Sequence, residues 1–436
     1  MKGDGIAAVI GGGGREHAIV KKLAEEEHFK EILCLPGGGY AAEIEKCKNI
    51  PIKADETDKI RDFAKEKKPY LTVVGPELPL VLGVTDMLMD MGLYVFGPSK
   101  RAAKIEGSKA FAKQLCVANG IPTAEFEIFY NHRLARMYVN EKWSKDHNMV
   151  VKGDGLAGGK AAIVCSKKGE ALDAVDLLMV KREYGDAGEV IVIEKKLFGP
   201  ELSEIGISDG VNYMGWATSQ DHKALLDGDR GPNTGGMGAY SPAPVAMGHE
   251  ESIRAIMENA IAGMKREDRE YFGALYGGLM ITDEGPKVLE FNCRLGDPET
   301  QPVFMRMQSG IAEYMVACIE DHLDEMEPIQ WDPRPAVCIV ITARSYPGSY
   351  KKDMLITGLE EIKNEFPEVY VFHAGTRFDG GKFYTAGGRV LGVTALGDDF
   401  KDAVNKAYEA AKIIRFDGST KDLYYRTDIG YRALQL

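Results

Sequence analysis

Apolar and polar residues follow a repeating unit along the first hundred positions: a short apolar run, a glycine-rich turn, then a helical pattern. Ile6–Ile10 predicts a strand, followed by Gly11–Gly14 and a helix over Arg15–Glu27. Ile32–Leu35 predicts a second strand, ending in Pro36-Gly37-Gly38-Gly39. Leu71–Val74 and Tyr94–Phe96 add two more, ending in Gly75-Pro76-Glu77 and Gly97-Pro98-Ser99. Strand–turn–helix repetition of this kind predicts a doubly wound parallel sheet. In such a sheet the turns after the strands gather on one edge, where ligands bind.

A helical stretch over 100–119 leads onward and is broken by Ile121-Pro122-Thr123. Strand-like runs follow at 149–152, 161–165, 189–197, 201–207 and 212–219, interrupted by one helix near 168–183. A helix near 250–267, strands at 276–282 and 287–292, and helices near 299–322 close this region. Asp332-Pro333-Arg334-Pro335 reads as a linker. Beyond it come strands at 336–343, 369–375 and 388–395 and a helix near 399–414. The fold class is α/β (α+β overall): an N-terminal doubly wound domain over 1–103, a larger domain over 104–330, and a small mixed strand–helix domain over 331–436.

Composition sharpens the picture at one point. Fifty of 436 residues are glycine, about 11% against a usual ~7%. With no collagen period, the excess means turns, or backbone approaching a ligand closely. The net charge is −12 and no Lys/Arg block occurs, so neither nucleic acid nor an anionic membrane is an expected partner. No apolar run reaches the ~20 residues of a transmembrane helix. Seven cysteines, odd in number and without a CxxC, fit a reduced cytoplasm.

Four clusters carry candidate chemistry. Gly11–Gly14 with Arg15-Glu16-His17 opens a helix, where N–H groups and the helix dipole favour an anion. A dinucleotide fingerprint fails there, because Glu16 or His17 stands where the last glycine is needed. Phosphate or sugar binding is weighed against a tight structural turn. The second cluster is Lys152-Gly153-Asp154-Gly155-Leu156-Ala157-Gly158-Gly159-Lys160, between two apolar strands. Asp154 and Ala161 exclude a Walker loop, leaving a glycine flap able to close over polyphosphate, or a plain hairpin turn. In the third, Glu290 and Asn292 alternate along a strand and so share a face. Two hard oxygen donors there suit Mg²⁺ held jointly with nucleotide phosphates, or form a solvated strand face. Arg294 and Asp297 follow directly. The fourth, Ser219–Lys223 with Gly231–Gly238, reads as a long ligand loop.

Together these motifs resemble the ATP-grasp superfamily and, more closely, the phosphoribosylamine–glycine ligase family. The matching runs are residues 13–18, 75–80, 96–99, 106–111, 121–125, 152–160, 217–223, 231–244, 290–302, 372–376 and 387–397, in family order. The run Arg294-Leu-Gly-Asp-Pro-Glu-Thr-Gln-Pro302 is the most specific. The resemblance implies ATP-grasp domains with a flap subdomain at about 124–195. It implies an ATP-dependent reaction of glycine with 5-phosphoribosylamine, through glycyl phosphate, to glycinamide ribonucleotide, ADP and phosphate in purine biosynthesis. ATP would be held by Lys109, Lys152, the flap residues Gly153, Asp154, Gly155, Gly158, Gly159 and Lys160, the strand end Glu194, Lys195 and Leu197, and Glu201. Glu290 and Asn292 would hold Mg²⁺ (or Mn²⁺). Arg294 and Asp297 would do the catalytic work of neutralising carboxylate or acyl phosphate and pairing with the amine. Gly13, Gly14, Arg15, Glu16, Gly37, Gly75, Glu77, Asp221, His222 and Lys223 would contact substrate.

The chain departs from the family's PGN turn at Gly38, and from its acidic pair at Lys195. Gly277–Met280 lacks the second acid that many ATP-grasp enzymes carry. His17 reads as a positioning residue, and Cys293 as packing. The other readings are another ATP-grasp carboxylate–amine ligase and a nucleotide-binding regulator without turnover. The expected form is a cytoplasmic monomer or weak dimer.

Overall fold

The computed structural model describes residues 5–144, 148–156, 158 and 160–435. Its first sheet has five parallel strands in the order 47–49, 31–36, 6–11, 71–74, 94–96. The chain winds outward both ways from the strand at 6–11, as the repeating pattern predicts. Alternate residues of that strand serve opposite faces. Ala7 and Val9 pack with Ile19 and Leu23 of the helix Gly14–Glu25. Ala8 and Ile10 pack with Ile60 and Phe63 of the helix Thr57–Lys67. Both faces are covered, which is why the strand is apolar throughout. The edge strand Cys47–Asn49 is too short and polar to show in the hydropathy pattern.

The turns after these strands press on one another. A side chain at Gly12 would begin 2.3 Å from the Gly37 carbonyl, and Gly37 itself sits at φ +74°. Only glycine permits both the approach and the conformation.

The helix expected over 100–119 is two helices, Lys104–Gly107 and Lys109–Ala118. Ser108 between them is extended, and its hydroxyl accepts from the Phe111 N–H at 3.1 Å. A local N-cap therefore restarts the helix inside a pattern that reads as continuous.

An antiparallel sheet follows, in the order 213–215, 201–209, 272–282, 285–292. Its core is shared with the first domain: Val9 and Ile19 lie in one apolar cluster with Trp216, Tyr276 and Phe304. Helices Thr300–Arg306 and Ala312–Ile319 occupy the expected 299–322 region. The flap sheet, in the order 126–129, 191–195, 149–153, 162–165, has its own apolar cluster. Val151 and Ile193 pack there with Val139, Val175 and Leu178 of the helices His132–Lys142 and Lys168–Met179.

Strand pairing corrects the reading of residues 219–238. Gln220–Asp221 and Gly238–Ser241 are strands, and Ala224–Leu226 pairs with Arg230–Asn233. Gly238–Ser241 also pairs with Ala336–Ala343, giving the order 220–221, 238–241, 336–343, 389–396, 369–373. Polar and glycine residues enter this sheet through their backbone, so hydropathy gives no sign of it. The helix Phe400–Ala411 packs on the sheet through Ala403 and Ala407. The expected linker is pinned: Arg334 pairs with Asp332 at 2.8 Å and with Glu368 at 2.7 Å. Among the described residues no helix is long and apolar enough to cross a membrane.

Candidate active site

A cavity of about 310 Å³ lies between the flap sheet and the central antiparallel sheet. Val150, Val164, Leu197, Met280 and Val288 give it an apolar slot. Its other end is charged, with Lys109, Lys152, Lys223 and Arg294 facing Glu77, Glu201, Asp221, Glu290, Asp297 and Glu299. An apolar slot beside an end that gathers lysines and an arginine is the shape a nucleotide base and its phosphates require.

Glu290 and Asn292 lie on the strand Gly285–Asn292, with Glu290 opposite Gly278 and Asn292 opposite Tyr276. Both line the cavity, as their alternation predicts. Burial would raise the Glu290 carboxyl, but Lys223, Lys109, Lys152 and Arg294 outweigh it and hold it at about 2. Asp221 is the opposite case. Burial, aided by Glu299, Glu201 and Glu290, pushes it up to about 8 despite Lys223. The lining as a whole carries eight carboxylates against six Lys and Arg side chains, a balance that a divalent cation in the cavity fits, and Glu290 is ionised to receive one. No three His, Cys, Asp or Glu side chains form a metal cage among the described residues.

Lys152 is buried and paired with Glu194, and its ammonium donates to the Leu289 carbonyl at 3.2 Å. Glu194 also pairs with Lys113 at 2.6 Å. Lys113 donates in turn to the Thr123 hydroxyl at 2.7 Å. Nothing in the sequence singled out Lys113; its spacing reads as one polar position on a helix. Lys109 donates to the Gly155 carbonyl at 3.3 Å, tying the helix start to the flap.

Several candidates lie elsewhere. The Asp154 carboxylate accepts from the Ser108 hydroxyl and the Ala110 N–H at 3.1 and 3.0 Å, so it anchors the flap rather than facing the cavity. Gly153 is buried against Ala187. Lys160 and Lys195 are exposed and outside the cavity lining, while Lys196 and Leu197 line it. Gly159 lies outside the described residues, as does Ala157. His222 is the clearest correction. Asp221 and Lys223 turn into the cavity, and by strand alternation His222 turns away. It packs against Tyr240 and Tyr431, where burial and Arg426 depress its pKa to about 3.

The first-domain turn is held from within. The Glu16 carboxylate accepts from the Gly13 N–H and from Arg15 Nε, each at 2.6 Å. Arg15 Nη1 donates to the Leu295 carbonyl at 3.0 Å. Both side chains are buried and engaged, so they fix the turn against the 294–301 segment instead of presenting free charge. Gly14 lies against Gln301 and Gly75 against the Glu16 carboxylate. His17 joins this turn to the last domain: Nε2 lies 3.0 Å from the Tyr370 hydroxyl, and Nδ1 accepts from the His373 N–H at 2.8 Å.

Arg294 is gripped on three sides. Nη2 donates to Asn292 Oδ1 at 3.1 Å and lies 3.4 Å from Glu106, while Nε lies 3.5 Å from Glu77. Glu106 also accepts from the Cys293 N–H at 2.7 Å, and Cys293 itself is buried. The carboxylate of Glu299 accepts from the Tyr276 and Ser203 hydroxyls at 3.0 and 3.2 Å. Glu106 and Glu299 both sit inside the matched runs, and there adjacency to Lys109 and Arg294 was the only signal. Glu201 pairs with Lys223 at 2.8 Å.

This arrangement of flap, central sheet and charged slot defines an ATP-grasp enzyme. Family profiles for phosphoribosylglycinamide synthetase match its N domain at residues 7–106, its ATP-grasp (A) domain at 107–300 and its C domain at 336–432. The chain is 43% identical over 433 residues to the phosphoribosylamine–glycine ligase of Rhodopirellula baltica, covering 98% of this chain and 97% of that one. It is 46% identical over 429 residues to the Vibrio vulnificus enzyme of that name, covering 98% of each. The crystal structure of phosphoribosylamine–glycine ligase from Thermotoga maritima superposes with a TM-score of 0.82 at 32% identity, over 97% of this chain and all of that one. A biotin carboxylase domain from Hydrogenobacter thermophilus, at 13% identity and TM-score 0.72 over 94% and 90% of the chains, shares the fold. The chain belongs to the phosphoribosylamine–glycine ligase family: it is an ATP-dependent carbon–nitrogen ligase that ligates glycine in purine biosynthesis.

Proposed function

We propose how the parts of this site divide the reaction. Adenine occupies the slot of Val150, Val164, Leu197, Met280 and Val288, with its edge on the backbone of residues 194–197. Lys109 and Lys152 hold the phosphates, and the flap closes over them. Glu290 and Asn292 hold Mg²⁺, or Mn²⁺, which when bound offsets phosphate charge. The glycine carboxylate attacks the γ-phosphorus, and the bond to the bridging oxygen of ADP breaks. Arg294 offsets charge on the glycyl phosphate. The nitrogen of 5-phosphoribosylamine then forms the amide, phosphate leaves, and the nitrogen loses a proton. Asp297 pairs with the amine. The turns at Gly13, Gly14, Gly37 and Gly75, with Glu77, hold the ribose phosphate; Arg15 and Glu16 keep those turns in place. Lys223 and Asp221 orient the glycine side of the cavity. Such phosphoryl transfer depends on positioning and charge more than on covalent catalysis. Water must be kept from the acyl phosphate, and the flap's separate apolar core lets it move as a unit.

The observation that carries this reading is Glu290 and Asn292 on one strand face, beside Lys109 and Lys152 and at the end of an apolar slot. Lys152→Ala and Glu290→Ala should each lower ADP release by about 10²–10³-fold while the fold survives. Wild-type rates in both would refute the assignment. The wild type should release ADP only with glycine and phosphoribosylamine together. We further propose domain divisions near residues 103 and 330, a flap subdomain at about 124–195, and a cytoplasmic monomer or weak dimer. The seven buried free thiols support a reducing compartment.

A further inference from the structure

Asp297 is held by a residue that lies far along the chain. Arg389 begins the strand Arg389–Leu396 of the last sheet, and its pairing with Thr342 follows a break in register after Ile341. Such an irregularity re-aims a side chain out of the regular ladder. Its guanidinium reaches Asp297 twice: Nη2 lies 3.1 Å from the carboxylate, and Nη1 donates to the main-chain carbonyl at 2.7 Å. Nη1 also donates to the Gly235 carbonyl, while the Gly235 N–H donates to the Tyr346 hydroxyl at 3.0 Å. Gly235 and Asp297 line the cavity; Arg389 stands behind them. The two segments touch directly, since a side chain at Gly236 would begin 2.4 Å from Pro298. Both charged side chains are largely buried, at 20% and 15% exposure.

We infer that Arg389 is a positioning residue for ligation, fixing the Asp297 carboxylate and the Gly235 turn against each other at the reacting end of the cavity. A planar fork holds one carboxylate and two carbonyls through donors fixed on separate nitrogens; an ammonium offers three donors on one rotatable nitrogen and sets no such geometry. Arg389 is also the foremost cation holding Asp297 ionised against its burial. The last domain thus contributes to chemistry through a residue that touches no substrate. The inference rests on the placement of Asp297 beside the amine.

The test is steady-state ADP release from the full chain, varying glycine and ATP separately, in Arg389→Met, Arg389→Lys, Asp297→Asn and the Met/Asn double variant. Arg389→Met should lower kcat about 100-fold and leave KM for ATP within about twofold. Arg389→Lys should recover about tenfold of that loss. The double variant should be no slower than the worse single one, because the two residues act as a unit. Wild-type turnover in Arg389→Met with Asp297→Asn impaired would overturn the inference alone. So would losses that multiply in the double variant, or a KM for ATP that rises as far as kcat falls. Wild-type turnover in Asp297→Asn would instead overturn the placement of Asp297, and with it the positioning role.

Discussion

Replacing Glu194 with glutamine removes the single negative charge between two buried lysines. Lys113 and Glu194 are 4% and 3% exposed, and their charged atoms lie 2.6 Å apart. At that distance and an effective dielectric near 20, the attraction of one pair is about 6 kcal/mol before desolvation. Desolvation takes back much of it, and breaking a buried pair by removing one partner costs about 3–5 kcal/mol. Burial works against both ends of the pair. It would raise Glu194, but Lys152 and Lys113 hold it below the usual carboxylate range. It depresses Lys113 despite Glu194. The Glu194→Gln variant should therefore unfold about 3–5 kcal/mol more easily in urea at neutral pH, without ligand. A lysine depressed by folding adds stability as pH rises toward its unfolded value, because the native lysine gives up its proton first while the unfolded chain still holds it. The variant's deficit should accordingly shrink between pH 7 and pH 10. If Lys152 holds the nucleotide phosphates as proposed, ATP supplies negative charge in place of Glu194, so saturating nucleotide should protect the variant more than the wild type. A deficit below about 1 kcal/mol, unchanged by pH or nucleotide, would refute the claim that Glu194 is the counter-charge of these buried lysines.

Glu204 is buried, takes a bond from the Tyr213 hydroxyl at 3.1 Å, and is pushed up to about 8 by burial. A raised carboxyl gives full stability below pH 4.5 and loses it as pH rises through 8, at up to about 1.4 kcal/mol per pH unit. Glu204→Gln should thus gain on the wild type across that window in urea titrations; a pH-independent difference would count against it. His222 behaves in the opposite sense. With its pKa depressed to about 3, it favours the fold above pH 6.5 and costs stability as pH falls toward 3. His222→Leu should flatten the acid limb of a melting-temperature profile by about one proton and leave KM for glycine unchanged. Lys195 is exposed outside the cavity, so Lys195→Ala should change stability by less than about 0.5 kcal/mol and KM for ATP by less than about twofold. A tenfold rise in KM would return Lys195 to the nucleotide site.

Local chemistry was legible wherever function and pattern coincide within a few residues. The strand Ile6–Gly11 announced itself by apolar continuity, and its glycine turn by composition. Glu290 and Asn292 share a face because alternation on a strand admits no other outcome. The same rule, applied to Gln220-Asp221-His222-Lys223, would have excluded His222 had the segment been read as a strand. The segment has the composition of a loop because its strands pair through backbone groups, which hydropathy does not register. Lys113, Glu106, Glu299 and Arg389 were missed for a different reason. Each is an ordinary charged residue in its own neighbourhood, and each acquires a role only through a partner brought to it by the fold: Glu194 for Lys113, Arg294 for Glu106, Tyr276 for Glu299 and Asp297 for Arg389.

The sequence by itself determined the apolar strands and the longer helices, the glycine turns at the strand ends, the oxygen donors on one strand face and the family to which these belong. All of these follow from short-range geometry: the periods of helix and strand, the freedom of glycine, and motif spacing. The tertiary structure alone decided which charges survive as charges. It placed Glu290 among cations and Asp221 among carboxylates, and it joined residues 389 and 297 across domains. Electrostatic state depends on every group within several ångströms and on exclusion of water, and contacts of long sequence separation set both.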